Sequence, residues 1–428
     1  KEIDILIPSM GDLAAPLFAA SLRGLGFNAK PMPESNPEIL KLARSVATGK
    51  ECLPLLLLVG HLLNYLDNIW DKKQKIAYFI VQGAGNCRLG QYPVFIRNLI
   101  RDRQIPNVAT LVLMNEDGFA GLGSDFALRG IQSIITSDVL DDIRSAILTL
   151  AINPEEGLKV FEEEYNKLLF AFEHQPKKIY KALKNFALTI RKKVPSKQPI
   201  NRAKYIALVG EIYVRRDHFA HRYLNKYFAS KGFILKDAYI SEWIFYVDYL
   251  LKLKLLEPDT DFRKKLERWI RVLFMRIAEH KIKKNLSLSG YYEYSRTLIE
   301  PILNHSKHLI PLEYKGEPGL TLGIALKDIM EKYCGVVNVG PFGCMPTRLA
   351  EAVSVPEMKI ENKIIARRLN EPDFDLPVFV DREMPLPFLT IETDGNPYPQ
   401  VVEARLESFV LKAERVAKIM EKMKMNGK

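Results

Sequence analysis

The chain predicts an α/β fold with two lobes built on parallel sheets, joined by helices. Three observations predict it. Short β-rich runs alternate with helical patterns through the first third of the sequence, and this spacing marks right-handed βαβ units. Those runs are almost wholly apolar, as expected of strands covered on both faces. The same alternation returns past residue 201, so the two lobes read as rough counterparts.

In order, Ile3 to Ile7 reads as a strand, Ala14 to Leu25 as a helix and Pro54 to Leu66 as a buried helix. Ile76 to Val81 is again a strand, Val94 to Ile100 a helix and Ala109 to Met114 a strand. From Pro154 to Pro199 the texture becomes Glu/Lys-rich helix ending in a basic segment, Arg191 to Lys193, closed by Pro195 and Pro199. The second alternation begins with the strand Tyr205 to Val209, the helix Phe219 to Ser230 and a strand near Phe233. An aromatic, basic helical insertion follows. The helix Ala325 to Tyr333, the strands Val336 to Val339 and Phe388 to Ile391, and an amphipathic helix from Val401 to Met423 complete the pattern. The boundaries expected are a first lobe over residues 1–153, a helical connector over 154–200, and a second lobe over 201–428 with its insertion at about 242–308.

Composition excludes several classes. A chain of 428 residues is long enough for two to three domains at ~150 residues each, so it has no need of disulfide staples. Four cysteines with no C-x-x-C pair exclude a disulfide scaffold, zinc ribbons and thioredoxin-type motifs. The longest apolar stretch, Leu53 to Leu63, is broken by Gly60 and His61 and falls short of the ~20 residues that cross a bilayer. No basic-then-apolar leader opens the sequence, so a soluble, cytoplasmic chain without membrane contact is expected. The start at Lys1 fits a piece of a longer polypeptide. Lys and Arg number 62 against 51 Asp and Glu, a net charge of +11. That surplus is spread over helices such as Lys177 to Lys192 and Arg263 to Lys284, as solvated surface or as a docking face for an acidic partner. Without aromatics at motif offsets, no nucleic acid is expected.

Three cysteines occupy similar contexts. Cys52 lies in Thr48-Gly49-Lys50-Glu51-Cys52-Leu53-Pro54, where Pro54 suits the first turn of the apolar helix. Cys87 lies in Gly83-Ala84-Gly85-Asn86-Cys87-Arg88-Leu89-Gly90-Gln91-Tyr92, directly after a strand. Cys344 lies in Asn338-Val339-Gly340-Pro341-Phe342-Gly343-Cys344-Met345-Pro346, again directly after a strand. Loops at the carboxyl ends of strands form the binding crevice of open α/β sheets, and a helix N-terminus favours a thiolate. A single free cysteine is as readily a small buried hydrophobe; three in such loops favour a shared ligand. Cys334, at a helix end before a strand, reads as packing. Three thiolates and one variable position suit an iron–sulfur cubane better than structural zinc, which takes four closed ligands.

Other features are weaker. Gly118-Phe119-Ala120-Gly121-Leu122-Gly123 is a Gly-rich turn, not a dinucleotide fingerprint. His218 and His221 read as a packed or exposed pair, and His61 as a satisfied core histidine. Glu211 and Asp217 are acid–base candidates of unfixed geometry. Arg88 and Lys50 either offset thiolate charge or make surface pairs; Gln91 and Tyr92 either line a pocket or cap a helix. No nucleophile–base triad and no Walker A sequence is present, which assigns ATP binding to a partner.

At these motifs the chain resembles the 2-hydroxyacyl-CoA dehydratase component family, and more closely the dehydratase-like module of large CoA-substrate-specific enzyme activase-related proteins. The matching segments are IPSMGDLAAPLFAASLRGLG, ATGKECLP, GAGNCRLGQY, NEDGFAGLGSDF, GEIYVRRDHF, NVGPFGCMPTRLAEA and IETDGNPYP with EARLESF. They run from the N-terminus to about residue 410. The resemblance implies two Rossmann-like α/β lobes with a [4Fe-4S] cluster between them, held by Cys52, Cys87 and Cys344. It implies an ATPase activator of the actin/hexokinase superfamily, in trans or in the same polypeptide, that delivers one low-potential electron. In the dehydratases that electron forms a ketyl radical from a 2-hydroxyacyl-CoA. Related double-cubane proteins reduce small molecules, but a double-cubane cluster needs more thiolates than this chain offers unless two chains contribute. Components of this kind pair as homo- or heterodimers. The leading expectation is therefore an iron–sulfur redox protein, dehydratase-like or reductase-like. Its competitors are a non-catalytic electron relay or scaffold and a metal-free binding protein that keeps the fold.

Overall fold

The computed structural model describes residues 2–83, 87–113, 123–256 and 262–425. The first sheet takes β1 (Ile3–Ile7), β2 (Asn28–Pro31), β3 (Lys75–Val81) and β4 (Val108–Leu113), with helices α1 (Ala14–Arg23), α2 (Pro37–Arg44), α3 (Leu53–Asn68) and α4 (Tyr92–Asp102) between them. Three long helices follow, α5 (Gly123–Leu150), α6 (Pro154–His174) and α7 (Ile179–Lys193). The second sheet takes β5 (Lys204–Gly210), β6 (Phe233–Asp237), β7 (Gly335–Pro341) and β8 (Phe388–Thr393). Its helices are α8 (Leu224–Ser230), α9 (Ile240–Lys252), α10 (Phe262–Leu286), α11 (Ile299–Asn304), α12 (Glu317–Asp328), α13 (Met345–Glu357), α14 (Ile360–Arg368) and α15 (Gln400–Met425).

Both sheets are wholly parallel and wound alike, in the orders β2-β1-β3-β4 and β6-β5-β7-β8. The fold is thus α/β with two doubly covered parallel sheets. In each, the winding reverses between the first and third strands, which are hydrogen-bonded neighbours in register, Ile5 with Ala77 and Leu208 with Val337. In open sheets wound this way, ligands bind beyond the carboxyl edge at that reversal. The helix before the third strand is also matched. Gly60 in α3 packs so closely on α2 that an added Cβ would lie 2.1 Å from the Ile39 carbonyl oxygen, and Gly323 in α12 repeats this at 2.2 Å from the oxygen of Ile302.

One apolar core runs through both lobes, joining Leu6 and Tyr78 to Leu208 and Val337. A second unites the helices through Ile143, Phe161, Phe186 and Ile282. The inter-lobe seam is also polar. Asp138, Asp141 and Asp142 of α5 meet Arg216 and Lys236 of the second lobe, and Ser145 donates to the Leu235 oxygen at 2.7 Å. Gly11 approaches within 2.8 Å of the Arg216 oxygen, as measured from a built Cβ.

Several expected elements differ. Helix α8 begins at Leu224, not Phe219, because residues 219–223 form turns that end with Arg222 and Tyr223 in the left-handed region. The expected helix Ala325 to Tyr333 is α12, which starts eight residues earlier, with Pro318 in its first turn. It stops at Asp328, whose carbonyl accepts from Glu331, Lys332 and Tyr333 and folds the chain back. The long α5 was not anticipated. Its small and acidic residues face other protein rather than water, so no amphipathic stripe marks it. Helix α10 is less simple than a basic solvated surface, since Trp269, Leu273 and Phe274 are exposed along it. Met114, Ala84 to Asn86, and the turn residues Gly118 to Leu122 fall outside the described residues. Among those described, no helix is long and apolar enough to cross a membrane.

Candidate functional site

Each of the three cysteines caps a helix in extended backbone. Cys52 is the N-cap of α3, Cys87 of the 3-10 turn Arg88–Gln91 that leads into α4, and Cys344 of α13. Prolines in the first turns of α3, α4 and α13 fix these starts, since Pro suits a position whose N–H has no partner. Cys87 follows β3 and Cys344 follows β7, the equivalent strands of the two sheets. Helix α3 runs antiparallel to β3, so Cys52 reaches the same carboxyl edge.

Local bonds fix the three loops. Glu51 accepts the N–H groups of Thr48, Gly49 and Lys50 at 3.0 to 3.1 Å and so closes the first. Glu392 of β8 accepts from the Gly343 N–H at 3.0 Å and holds Arg348, fixing the third. Arg88 joins all three, for it leaves the Cys87 loop to donate to the Lys50 oxygen at 2.9 Å and stands 4.0 Å from where a Gly343 Cβ would be. The turn at Gly395 is held in the left-handed region and packs on Leu40 and Leu53, binding the second lobe to the start of α3.

The sulfurs have donors of their own. The Tyr92 hydroxyl lies 2.7 Å from Cys52 Sγ, and the Leu89 N–H donates to Cys87 Sγ at 3.4 Å. The N–H groups of Leu55 and Thr347 favour the charged forms of Cys52 and Cys344. The buried Thr347 hydroxyl also favours the charged form of Cys344. Against these, desolvation pushes Cys87 up to about 11 and Cys344 up to about 12, and raises Cys52. Cys87 is both solvent-exposed and strongly desolvated, as a group on the wall of a crevice is. Burial thus favours the protonated thiol at all three positions.

Two carboxyl groups from the second lobe lie near enough to the thiols to act on them. Glu211, at the end of β5, has its N–H on the Val339 oxygen and acts electrostatically on all three thiols. Glu317 opens α12, the counterpart of α3, and acts on Cys87 and Cys344. Burial pushes Glu317 to about 8 and raises Glu211. Arg215 holds Glu317 at 3.4 Å while its other N–H groups go to the oxygens of Gly210, Ala238 and Tyr239. Glu317 was missed in the sequence, although Gly316-Glu317-Pro318 places proline as Cys52-Leu53-Pro54 does.

Cys334 is buried and touches Met420 Sδ at 4.0 Å. It precedes β7 while Cys344 follows it, and seven residues at ~3.3 Å each separate them by roughly 20 Å. It belongs to the packing. Tyr92 is buried against Cys52, and Gln91 caps α4 without a side-chain bond.

A separate polar group joins the lobes elsewhere. Ligand atoms of Asp12, Asp141 and His218 lie within 4.8 Å of one another, whereas the three thiols are not gathered so tightly. A mononuclear site with ~2.3 Å metal–sulfur bonds would draw its sulfurs within ~4 Å; thiolates bound to different irons of a cubane stand further apart. Arg144 occupies the Asp12 group, bonding Asp12, Asp141 at 2.8 Å and His218 at 2.6 Å, so its charge is already balanced. His218 Nδ1 meets His221 Nε2 at 3.1 Å, and burial drives both imidazoles far down, His221 to about 3. The two are a packed neutral pair.

Asp217 accepts from Ser35 at 2.6 Å, and Ser35 Oγ lies 3.1 Å from His61 Nε2. The serine proton goes to the carboxylate, and all three are buried, so the chain is an inter-lobe brace with no nucleophile. His61 Nδ1 has no partner; this core histidine is only half satisfied. No family model matches the chain, and no curated protein matches it.

Proposed function

We propose that this chain is an iron–sulfur redox protein that holds one [4Fe-4S] cluster through Cys52, Cys87 and Cys344 and takes low-potential electrons from an ATP-hydrolysing activator. The observation that carries the reading is the convergence of three helix-capping thiols, one on the first helix edge and two on equivalent strands, around Arg88. The donor set fits such a group: N–H donors stand at each sulfur, and the Thr347 hydroxyl lies beside Cys344. The resemblance of the same segments to 2-hydroxyacyl-CoA dehydratase components supports it from the sequence side.

When bound, such a cluster supplies one-electron chemistry. The chain's own residues then set its surroundings. Burial and N–H donors to sulfur govern potential, and here Leu55, Leu89 and Thr347 donate while Arg88 offsets thiolate charge. Glu317, pushed to about 8 by burial, holds a proton at neutral pH on the second-lobe side of the site, with Glu211 beside it shifted in the same direction. Phe342 (71% exposed) and Met345 (42%) flank Cys344, which gives the rim an apolar edge suited to an acyl group or an electron-donating partner. Dehydration or reduction of an acyl-CoA at this crevice follows from the resemblance.

After anaerobic incubation with iron and sulfide and desalting, the protein is expected to retain about four irons per chain and to show a visible absorption that one-electron reduction bleaches. A chain that retains no iron contradicts the proposal.

A further inference from the structure

A second cavity, of about 170 Å³, lies in the second lobe at the carboxyl end of β6. It is distinct from the thiol crevice. Arg215 stands between the two, donating to Ala238 and Tyr239 on the cavity wall and holding Glu317 on the other side. The floor is apolar, formed by Ala207 and Val209 of β5 and Ile324 of α12. The walls are cationic, with Lys236 and Lys283 placing their ammonium groups 4.7 and 4.9 Å from the Tyr239 ring centre.

The charges do not balance inside. Lys236 is neutralised by Asp142, Lys283 by Glu279 at 2.8 Å and Lys327 by Asp328 at 2.6 Å. Arg296 and Lys332, both exposed at the rim, pair with no carboxylate among the described residues. The remaining carboxyl groups, Asp237 and Glu242, cannot offset them fully. Asp237 is paired with Arg216 at 3.8 Å, and Arg215 acts on Glu242 more strongly than Lys332 does. The cavity thus presents two cations without a carboxylate partner at its rim, above an apolar floor.

We propose that this cavity is a binding site for a small organic anion, its carboxylate or phosphate group held by Arg296 and Lys332 at the rim and its carbon skeleton on the floor of Ala207, Val209 and Ile324. The volume admits roughly six water-sized groups, which fits a metabolite of a few carbons. The position agrees with the tendency of open α/β sheets to take ligands beyond their strand ends. Because the cavity shares no residue with the thiols, the proposal does not depend on the cluster.

Calorimetric titration of the intact chain with inorganic phosphate and, separately, succinate tests it at constant ionic strength. Saturable 1:1 binding of either is expected, and the tighter of the two names the head group. Arg296→Glu and Lys332→Glu, both on the surface, should each weaken binding about tenfold, the worth of one charge-assisted hydrogen bond. Lys265→Glu, an equal charge change on the exposed part of α10, should leave it within about twofold. No saturable binding of either anion overturns the proposal. So does an equal loss in Lys265→Glu, which would mean that only net charge attracts the anion.

Discussion

At the scale of single residues, burial governs the candidate site more than any pairing does. The three thiols are raised although each sits at a helix N-terminus, because removing a thiolate from water outweighs the ~0.3–1 kcal/mol that a helix end returns. Cys87 is therefore exposed yet slow to react. Its alkylation by iodoacetamide should climb about tenfold per pH unit past pH 9 and level off only near pH 11. A plateau near the ordinary thiol value would contradict this; rates read by mass spectrometry decide. The buried acids predict a stability profile. Asp217, Asp237 and Glu317 are pushed by burial to about 6, 7 and 8, above their unfolded values near 4. The folded chain thus binds more protons between those limits. Their stabilisation is complete below pH ~4 and is lost as pH rises through 6 to 8. Between pH 7 and pH 8, above the range in which the buried histidines titrate in the unfolded chain, the urea midpoint should fall, and the fall should be shallower in Glu317→Gln.

At the scale of elements, the two lobes repeat one device. A helix ahead of the third strand is pressed onto its predecessor through a glycine, and its N-terminus delivers a side chain to the crevice: Cys52 from α3, Glu317 from α12. Gly60→Ala and Gly323→Ala place a methyl group 2.1 and 2.2 Å from a carbonyl oxygen, and each should cost about 2–3 kcal/mol or more as the helices part. Equilibrium denaturation tests both, and a loss under 0.5 kcal/mol in either refutes the matched packing. This is also the scale at which the sequence was most legible. Apolar strands such as Ile76 to Val81 announce themselves, and cysteines between a strand and a proline mark the crevice edge. What was not legible depended on partners distant in sequence. Helix α5 has no free polar face because lobe two covers its aspartates, and Glu317 gains meaning only when α12 is set beside α3.

At the scale of the whole molecule, one core and one buried charge network hold the lobes together. Arg216 is fully buried between Asp138, Asp141 and Asp237. Arg216→Met leaves Asp138 and Asp237 without a cation and Asp141 with Arg144 alone, and should destabilise the chain by about 3–5 kcal/mol. Unfolding should nevertheless remain a single transition, because the apolar core is shared. The lobes must be fixed in this way for the central claim to hold, since Cys344 belongs to one and Cys52 and Cys87 to the other. The most direct test is iron content and the reduced-state EPR signal after anaerobic reconstitution of Cys52→Ser, Cys87→Ser, Cys344→Ser and Cys334→Ser. The account predicts that Cys334→Ser matches the parent chain while each of the other three loses most of its iron. Unchanged iron in all three, or a loss confined to Cys334→Ser, would contradict it.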